Sequence, residues 1–187
     1  IFLFLSAGFC ANAAEINVYS HRHYDSDAVL FEKFSKETGI KVNVIKGSAD
    51  QLIQRLISEG KNSPADVLLT VDAGRLHRAK EAGILQPAKS KKLQQHVPAS
   101  MSDPEGHWYG MTVRARVLVY SKERVKAGEL TTYEDLAKPN WKGRITVRSS
   151  SNIYNQSLLA SIIEANGPDK ALSWAKAVRK NMVRAPR

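Results

Sequence analysis

Apolar and polar residues alternate with two different periods along the first half of the chain. Residues 40–44 alternate with period two, which predicts a half-buried strand. Apolar residues three and four apart predict helices at residues 25–37 and between Ser48 and Gly60. The apolar run at residues 67–71 predicts a central strand, buried on both faces. A short strand at 16–19 and a short helix at 75–82 complete the pattern. The resulting β–α–β–α–β–α order predicts a parallel sheet covered by helices.

The pattern changes near the middle of the chain. Residues 108–120 alternate over an unusual length and predict one long strand. A second α/β unit follows, with capping-box spacing from Thr131 and Thr132 to Glu134 and Asp135, a strand at 144–147 and helices after the serine-rich loop and at Pro168.

These elements predict an α/β fold with two lobes. We place the first lobe at residues 14–109 and the second at residues 110–187, with the crossover near residues 110–116. The second lobe has too few predicted strands to close a sheet, so we expect it to be incomplete in this chain. Open α/β sheets bind ligands at the carboxyl ends of their strands, which directs attention to the strand-to-helix loops.

Residues 1–13 have the pattern of a secretory signal peptide. Their apolar run is shorter than the roughly 20 residues needed to span a bilayer, and an A-x-A site follows at residues 11–13. We expect this signal to be truncated at its start and the mature chain to begin at Ala14, in the periplasm. The single cysteine, Cys10, lies inside the signal, so cysteine catalysis and thiolate metal sites are excluded from the mature chain.

The charge of the chain makes nucleic acid a partner to consider. The formal net charge is +10, with 28 basic and 18 acidic residues among 187. The densest basic group is Lys89, Lys91 and Lys92, and no aromatic residue interleaves with it. We interpret the charge as a solvated basic surface and predict no nucleic-acid partner.

The loop after the first strand, "HRHYDSD", carries the first candidate chemistry. It offers imidazole groups at His21 and His23, a phenol at Tyr24 and a carboxylate at Asp25, which we expect to cap the next helix. A second tyrosine, Tyr154, lies in "SSSNIYNQS", again between a predicted strand and a helix. A highly charged cation deprotonates its ligands, so the two phenols could bind one metal ion. Burial of both tyrosines in the core is the alternative.

Five segments of the chain resemble the bacterial periplasmic ferric-ion-binding proteins, the substrate-binding components of iron(III) ABC importers. These segments are "INVYSHRHYDSD", "PADVLLTVDAGRLHRAKEAGIL", "GHWYGMTVRARVLVYSKERV", "YEDLAKPNWKGRITVRSSSNIYNQSLLASII" and "ALSWAKAVRKN". The resemblance implies a two-lobed, type II-like periplasmic binding protein with a ligand cleft between the lobes. It further implies a monomer that is not an enzyme, binds Fe(III) and delivers it to an inner-membrane ABC permease.

The resemblance also implies the metal ligands. The family's "HY" falls on His23 and Tyr24, and the tyrosine of its "N-x-Y-N" loop falls on Tyr154. Arg114 and Arg116 match its "R-A-R" element, and one of them is expected to balance phenolate charge. The family also has a consecutive tyrosine pair, which this sequence does not contain.

Two other functions compete with iron binding. The same fold could bind thiamine, a polyamine or an oxyanion, with an oxyanion held by residues 149–151 and a helix N-terminus. Hydrolytic chemistry could use His23 with Asp25 or one of these serines. The chain contains neither a G-x-S-x-G nor an H-E-x-x-H motif, which argues against an enzyme.

Overall fold

The computed structural model describes residues 14–22 and 24–185, which fall into two units. Unit 1 contains the chain up to Ala88 together with Glu105–Trp108, and unit 2 contains Lys89–Pro104 and the chain from Tyr109. Residues 89–104 thus group with unit 2, and the exact lobe boundary stays a prediction. The predicted signal peptide lies outside the described residues. Within those residues, no helix combines the length and apolarity needed to cross a membrane.

Unit 1 has the predicted alternation of strands and helices. Its elements are β1 (Glu15–Ser20), α1 (Asp25–Thr38), β2 (Lys41–Lys46), α2 (Ala49–Glu59), a 3-10 turn (Gly60–Asn62), β3 (Val67–Leu69) and α3 (Ala73–Glu81). The strands are parallel and lie in the order β2–β1–β3. The predicted parallel sheet is therefore confirmed for this unit.

Local signals fix the ends of these helices. The Ser48 hydroxyl accepts a hydrogen bond from the Gln51 backbone, and the Gln51 side chain accepts one from the Ser48 backbone, which is a capping box. Gly39 ends α1 with φ of 72°, a left-handed conformation that glycine adopts without a steric penalty. Both features were readable in the sequence.

The central strand of the unit 1 sheet is β1, because it is hydrogen-bonded on both sides. Its Tyr19 ring is fully buried and packs with Leu52 and Leu56 of α2. The prediction of a central, doubly buried strand at residues 67–71 is wrong: β3 is shorter, lies at one edge of the described sheet, and leaves Val67 45% exposed.

In its described residues, unit 2 contains helices and 3-10 turns but no strand longer than a single bridge. The helices are α4 (Lys91–His96), α5 (Ile153–Asn166) and α6 (Pro168–Asn181), and the turns are Ala99–Met101, Glu134–Ala137 and Pro139–Trp141. The strands predicted at 108–120 and 144–147 are wrong. Val119 is 87% exposed, and Ile145 makes only an isolated bridge to Met182. A strand needs a hydrogen-bonding neighbour, which alternation along one segment cannot supply.

Helix α6 and the 3-10 turn at Glu134–Ala137 hold the core of unit 2 together. Val125, Trp141, Ile145 and Val178 form the buried cluster of this core. The Asn181 side chain donates hydrogen bonds to the backbone oxygens of Leu136, at 2.9 Å, and Lys138, at 2.8 Å. The Trp174 indole N–H donates to the Tyr133 oxygen at 2.7 Å. These polar contacts satisfy backbone oxygens that a turn leaves unpaired.

The Asp135 carboxylate anchors the turn at Glu134–Ala137 and predicts a pH dependence. It accepts hydrogen bonds from Lys138 Nζ at 2.6 Å and from the backbone N–H groups of Thr131 and Thr132. These bonds, Lys138 first, lower the pKa of Asp135 well below its usual range. Its stabilising effect is therefore complete above the ordinary pKa of about 4 and is lost as the pH falls below it.

We expect Asp135→Asn to lower the free energy of unfolding near neutral pH, with a deficit that shrinks as the solution is acidified. Urea unfolding at several pH values, followed by circular dichroism, measures this difference. The control is Glu164→Gln, which removes an exposed carboxylate from the same unit. A deficit that stays constant across the pH range would contradict this role of Asp135.

Candidate functional site

Tyr24 lies in unit 1, between the carboxyl end of β1 and the first residue of α1. The backbone on both sides of it is held in place. The His21 N–H donates to the Leu69 oxygen at 2.9 Å, and the Asp27 N–H donates to the Tyr24 oxygen at 3.0 Å. Tyr24 itself is 44% exposed, so its phenol is accessible from solvent and does not lie in a hydrophobic core. The core alternative is therefore wrong for Tyr24.

Arg22 is the neighbour of Tyr24 that the sequence did not single out. Its guanidinium donates two hydrogen bonds of 2.9 Å to the two carboxylate oxygens of Asp27. Its Cζ atom also lies 5.1 Å from the centroid of the Tyr24 ring. The hydrogen bonds to Asp27 raise the pKa of Arg22, so the guanidinium is charged at any working pH.

The other predicted groups of this loop have different placements. His21 Nδ1 lies 3.4 Å from the Gly47 oxygen, and His23 lies outside the described residues. The cap position of α1 is Tyr24, whose side chain makes no cap hydrogen bond. Asp25 is instead the first helical residue, where its charge favours the positive end of the helix dipole. The prediction that Asp25 caps α1 is wrong by one position.

A cavity of about 460 Å³ opens beside Tyr24 within unit 1, against α1 and β2. Its lining includes the basic residues Arg22, Lys36 and Lys46 and the acidic residues Asp25, Asp27 and Glu32. Opposite charges are thus mixed around the cavity, so its lining does not have the single sign of charge that steers an ion by its field.

Tyr154 lies in unit 2, in the first turn of α5. Asn152 is the cap of this helix, and its Oδ1 atom accepts a hydrogen bond from the Tyr154 backbone at 3.0 Å. The phenol oxygen of Tyr154 accepts a hydrogen bond from the Arg114 guanidinium at 2.9 Å. The Arg116 guanidinium lies over the ring, with Cζ 4.1 Å from the centroid. Both arginines of the "R-A-R" element therefore contact this tyrosine.

A third guanidinium approaches the same ring. Arg148 Cζ lies 5.9 Å from the centroid of Tyr154, within the range of a cation–π contact. The sequence analysis did not identify Arg148, although its position directly before the serine-rich loop that leads into α5 could have pointed to it. Three guanidinium groups, those of Arg114, Arg116 and Arg148, therefore surround this one side chain.

Polar groups of the serine-rich loop form hydrogen bonds with each other and with the first turn of α5. The hydroxyls of Ser149 and Ser151 lie 2.8 Å apart, and Asn155 Nδ2 donates to the backbone oxygens of Arg148 and Ser149. Across residues 14–22 and 24–185, the His, Cys, Asp and Glu side chains form no group of three or more that could hold a metal ion.

The chain is similar to several known proteins. Residues 62–186 match the family described as bacterial extracellular solute-binding protein. The chain is 57% identical to iron uptake protein A1 of Synechocystis sp. over 172 residues, 92% of this chain and 48% of that protein. It is 31% identical to the Fe(3+)-binding periplasmic protein of Serratia marcescens over 182 residues, 96% of this chain and 53% of that protein.

The likeness extends to solved structures. The Trichodesmium protein IdiA (FutA), solved in complex with iron and citrate, superposes with a TM-score of 0.88 at 56% identity, covering 93% of this chain and 55% of that one. This likeness confirms the predicted fold class, the two-lobed type II-like fold of periplasmic ferric-binding proteins. The chain spans about half the length of the curated relatives it matches.

Proposed function

The chain belongs to the family of bacterial extracellular solute-binding proteins, and from this membership we propose that it captures Fe(III). The proposed ligands are the phenol oxygens of Tyr24 and Tyr154 and the imidazole of His23. Relatives are named for iron uptake and Fe(3+) binding, and the similar Trichodesmium structure contains iron, which supports this cargo.

The observation that carries the proposal is the environment of Tyr154. Its phenol oxygen accepts a hydrogen bond from Arg114 while Arg116 lies over its ring. A buried structural tyrosine needs one hydrogen-bond partner and no surplus of positive charge. When a metal ion displaces the phenol proton, the guanidinium groups at the oxygen and over the ring lie where they can offset the negative charge of the bound phenolate.

The chemistry of Fe(III) fits these residues. Fe(III) is a small, hard cation that prefers anionic oxygen ligands, and tyrosinate is an established iron ligand. Binding releases the phenol proton, because a highly charged cation deprotonates its ligands. Each phenolate then contributes a negative charge, which the arginines around Tyr154 partly balance. In this proposal His23 adds a neutral nitrogen donor.

The place of the protein in transport follows from the same proposal. Relatives carry the names of binding and uptake proteins rather than enzymes, and some are named as periplasmic. We therefore propose a periplasmic monomer that is not an enzyme and passes Fe(III) to an inner-membrane ABC permease. We propose no nucleic-acid partner for this protein.

Titration with Fe(III) followed by visible absorption tests the proposal. Phenolate bound to Fe(III) absorbs visible light by charge transfer, whereas thiamine, polyamines and simple oxyanions would produce no such band. We expect a visible band that saturates with added iron. Saturable binding of one of those other ligands, without any band on adding iron, would replace iron binding as the function.

We expect the loss of His23 to weaken iron binding less than the loss of either tyrosine. Replacing His23 by Ala should weaken Fe(III) binding by about tenfold, which is the smallest loss usually seen even for groups that only orient a metal ligand. The effect is small because imidazole is neutral and softer than phenolate, and water can take its place. The titration that measures the wild type measures this variant, with His77→Ala as the control for loss of a histidine from unit 1. A loss larger than that of either tyrosine variant would contradict this ranking.

A further inference from the structure

We propose that Arg22 is a positioning residue for Tyr24, held in place by Asp27 so that its guanidinium fixes the orientation of the phenol ring for metal binding. This inference rests on the proposed function and adds a residue to it. Arg22 contacts the ring and not the metal, so its effect on iron passes through Tyr24.

The first step is the anchoring of Arg22. Both of its hydrogen bonds to Asp27 are 2.9 Å long, and they join Nε and a terminal nitrogen to separate carboxylate oxygens. The two side chains are 18% and 12% exposed, so water competes little with this pair. A bidentate pair of this kind sets the plane of the guanidinium as well as its position. Arg22 thus presents a fixed flat surface.

The second step is the contact that Arg22 makes with the Tyr24 ring. Hydrogen bonds fix the backbone around Tyr24, and its side chain is 44% exposed, so core packing does not surround the ring on all sides. The Arg22 guanidinium lies 5.1 Å from the ring centroid, inside the roughly 6 Å limit of a cation–π contact. This contact favours the rotamer in which ring and guanidinium meet, and Asp27 fixes where the guanidinium is.

The third step is the consequence for a metal. A ligand that already points in the binding direction does not lose its rotamer freedom when the metal arrives. Groups that orient metal ligands typically change metal affinity by about 10- to 100-fold, which sets the expected size of the effect.

Unit 2 has a similar contact, since Arg116 lies 4.1 Å from the Tyr154 ring centroid. Unit 1 also contains a matched arrangement away from this loop. Arg55 pairs with Glu59 at 2.6 Å and lies 4.8 Å from the centroid of Tyr19, a ring that is buried in the core. Arg55 therefore also combines a carboxylate pair with a ring contact, although a single hydrogen bond joins it to Glu59 and its ring is not an exposed phenol, and it provides the control.

The experiment compares Arg22→Gln, Arg22→Lys, Asp27→Asn and Arg55→Gln in the protein, each checked for folding by circular dichroism. Fe(III) titrations read by the visible band give the affinity. We expect Arg22→Gln, Arg22→Lys and Asp27→Asn to weaken binding by about 10-fold or more, with a shifted band, and Arg55→Gln to bind as the wild type does. We expect Arg22→Lys to bind iron weakly because lysine keeps the positive charge but lacks the planar guanidinium that forms two parallel hydrogen bonds.

A second readout uses metal-free protein. In nuclear magnetic resonance spectra, cross-relaxation between the Arg22 side chain and the Tyr24 ring should be present in the wild type and weaken in Asp27→Asn, which retains both residues. If Arg22→Gln does not fold, Asp27→Asn carries the test. Wild-type iron affinity in folded Arg22→Gln and Asp27→Asn, or full recovery in Arg22→Lys, would overturn the inference. Absence of a visible band in the wild type itself would instead overturn the proposed function.

Discussion

Replacing Tyr154 by Phe should lower Fe(III) affinity by at least about 100-fold and alter the visible band, because it removes a proposed ligand, and even groups that only orient metal ligands cost up to about 100-fold. Phenylalanine keeps the ring and its contact with Arg116, so packing changes little. It removes the one atom that accepts the hydrogen bond from Arg114 and can bind a metal. We expect Tyr24→Phe to behave in the same way, because it keeps the ring contact with Arg22 and removes only the phenol oxygen.

Iron titration of the two variants, read at the visible band, measures both effects. Tyr120→Phe is the control, since it removes a phenol from a different tyrosine of unit 2, which is 40% exposed. Circular dichroism should show the same fold in all three variants. Wild-type affinity and an unchanged band in both Tyr24→Phe and Tyr154→Phe would remove these residues from the proposed site.

Several helices and helix ends could be predicted because their signals are local, although the cap of α1 was placed one residue late and α4 was not predicted. Ser48 with Gln51, and Gly39 after α1, each specify a helix end within four residues of sequence. The order of strands and helices in unit 1 followed from hydrophobic periodicity. The family resemblance rested on sequence motifs alone, and the structural likeness to ferric-binding proteins confirms the fold class.

Strand pairing could not be predicted, because it depends on residues far away in the sequence. The alternation at 108–120 matches a strand, yet no neighbouring strand pairs with it among the described residues, and Val119 faces solvent. The run at 67–71 is apolar enough for a central strand, but the sheet places β1 in the centre. Periodicity reports which side chains prefer burial, and it does not report which strand lies beside which.

The candidate site was only partly visible in the sequence. Tyr24 and Tyr154 stood out because each lies at a strand-to-helix loop, and the "R-A-R" element pointed to two of the arginines around Tyr154. Arg22 did not stand out because its role depends on the pair it forms with Asp27 in the first turn of α1. A basic residue on the surface and a basic residue held against a phenol look alike in sequence.

Trp141→Ala should destabilise unit 2 by about 3–5 kcal/mol, the usual cost of truncating a buried aromatic residue to Ala. Trp141 is 3% exposed and packs in one cluster with Val125, Ile145 and Val178. The vacated volume cannot collapse easily, because Asn181 ties the surrounding turn and α6 together by two hydrogen bonds. Such a loss is a large fraction of the roughly 5–15 kcal/mol that stabilises a typical domain.

Trp141→Phe is the matched variant, because it keeps an aromatic ring at this position but removes the indole N–H. The indole N–H of Trp141 is buried without a hydrogen-bond partner in the part of the chain that the structure describes, so its removal relieves a desolvation cost of about 1–3 kcal/mol. That gain offsets part of the lost packing, and we expect Trp141→Phe to cost about 1 kcal/mol, far less than Trp141→Ala. Urea unfolding followed by circular dichroism measures both variants. Equal destabilisation by Phe and Ala would contradict this account. It would show that the indole N–H has a hydrogen-bond partner and that lost side-chain volume is not the main cause of the destabilisation.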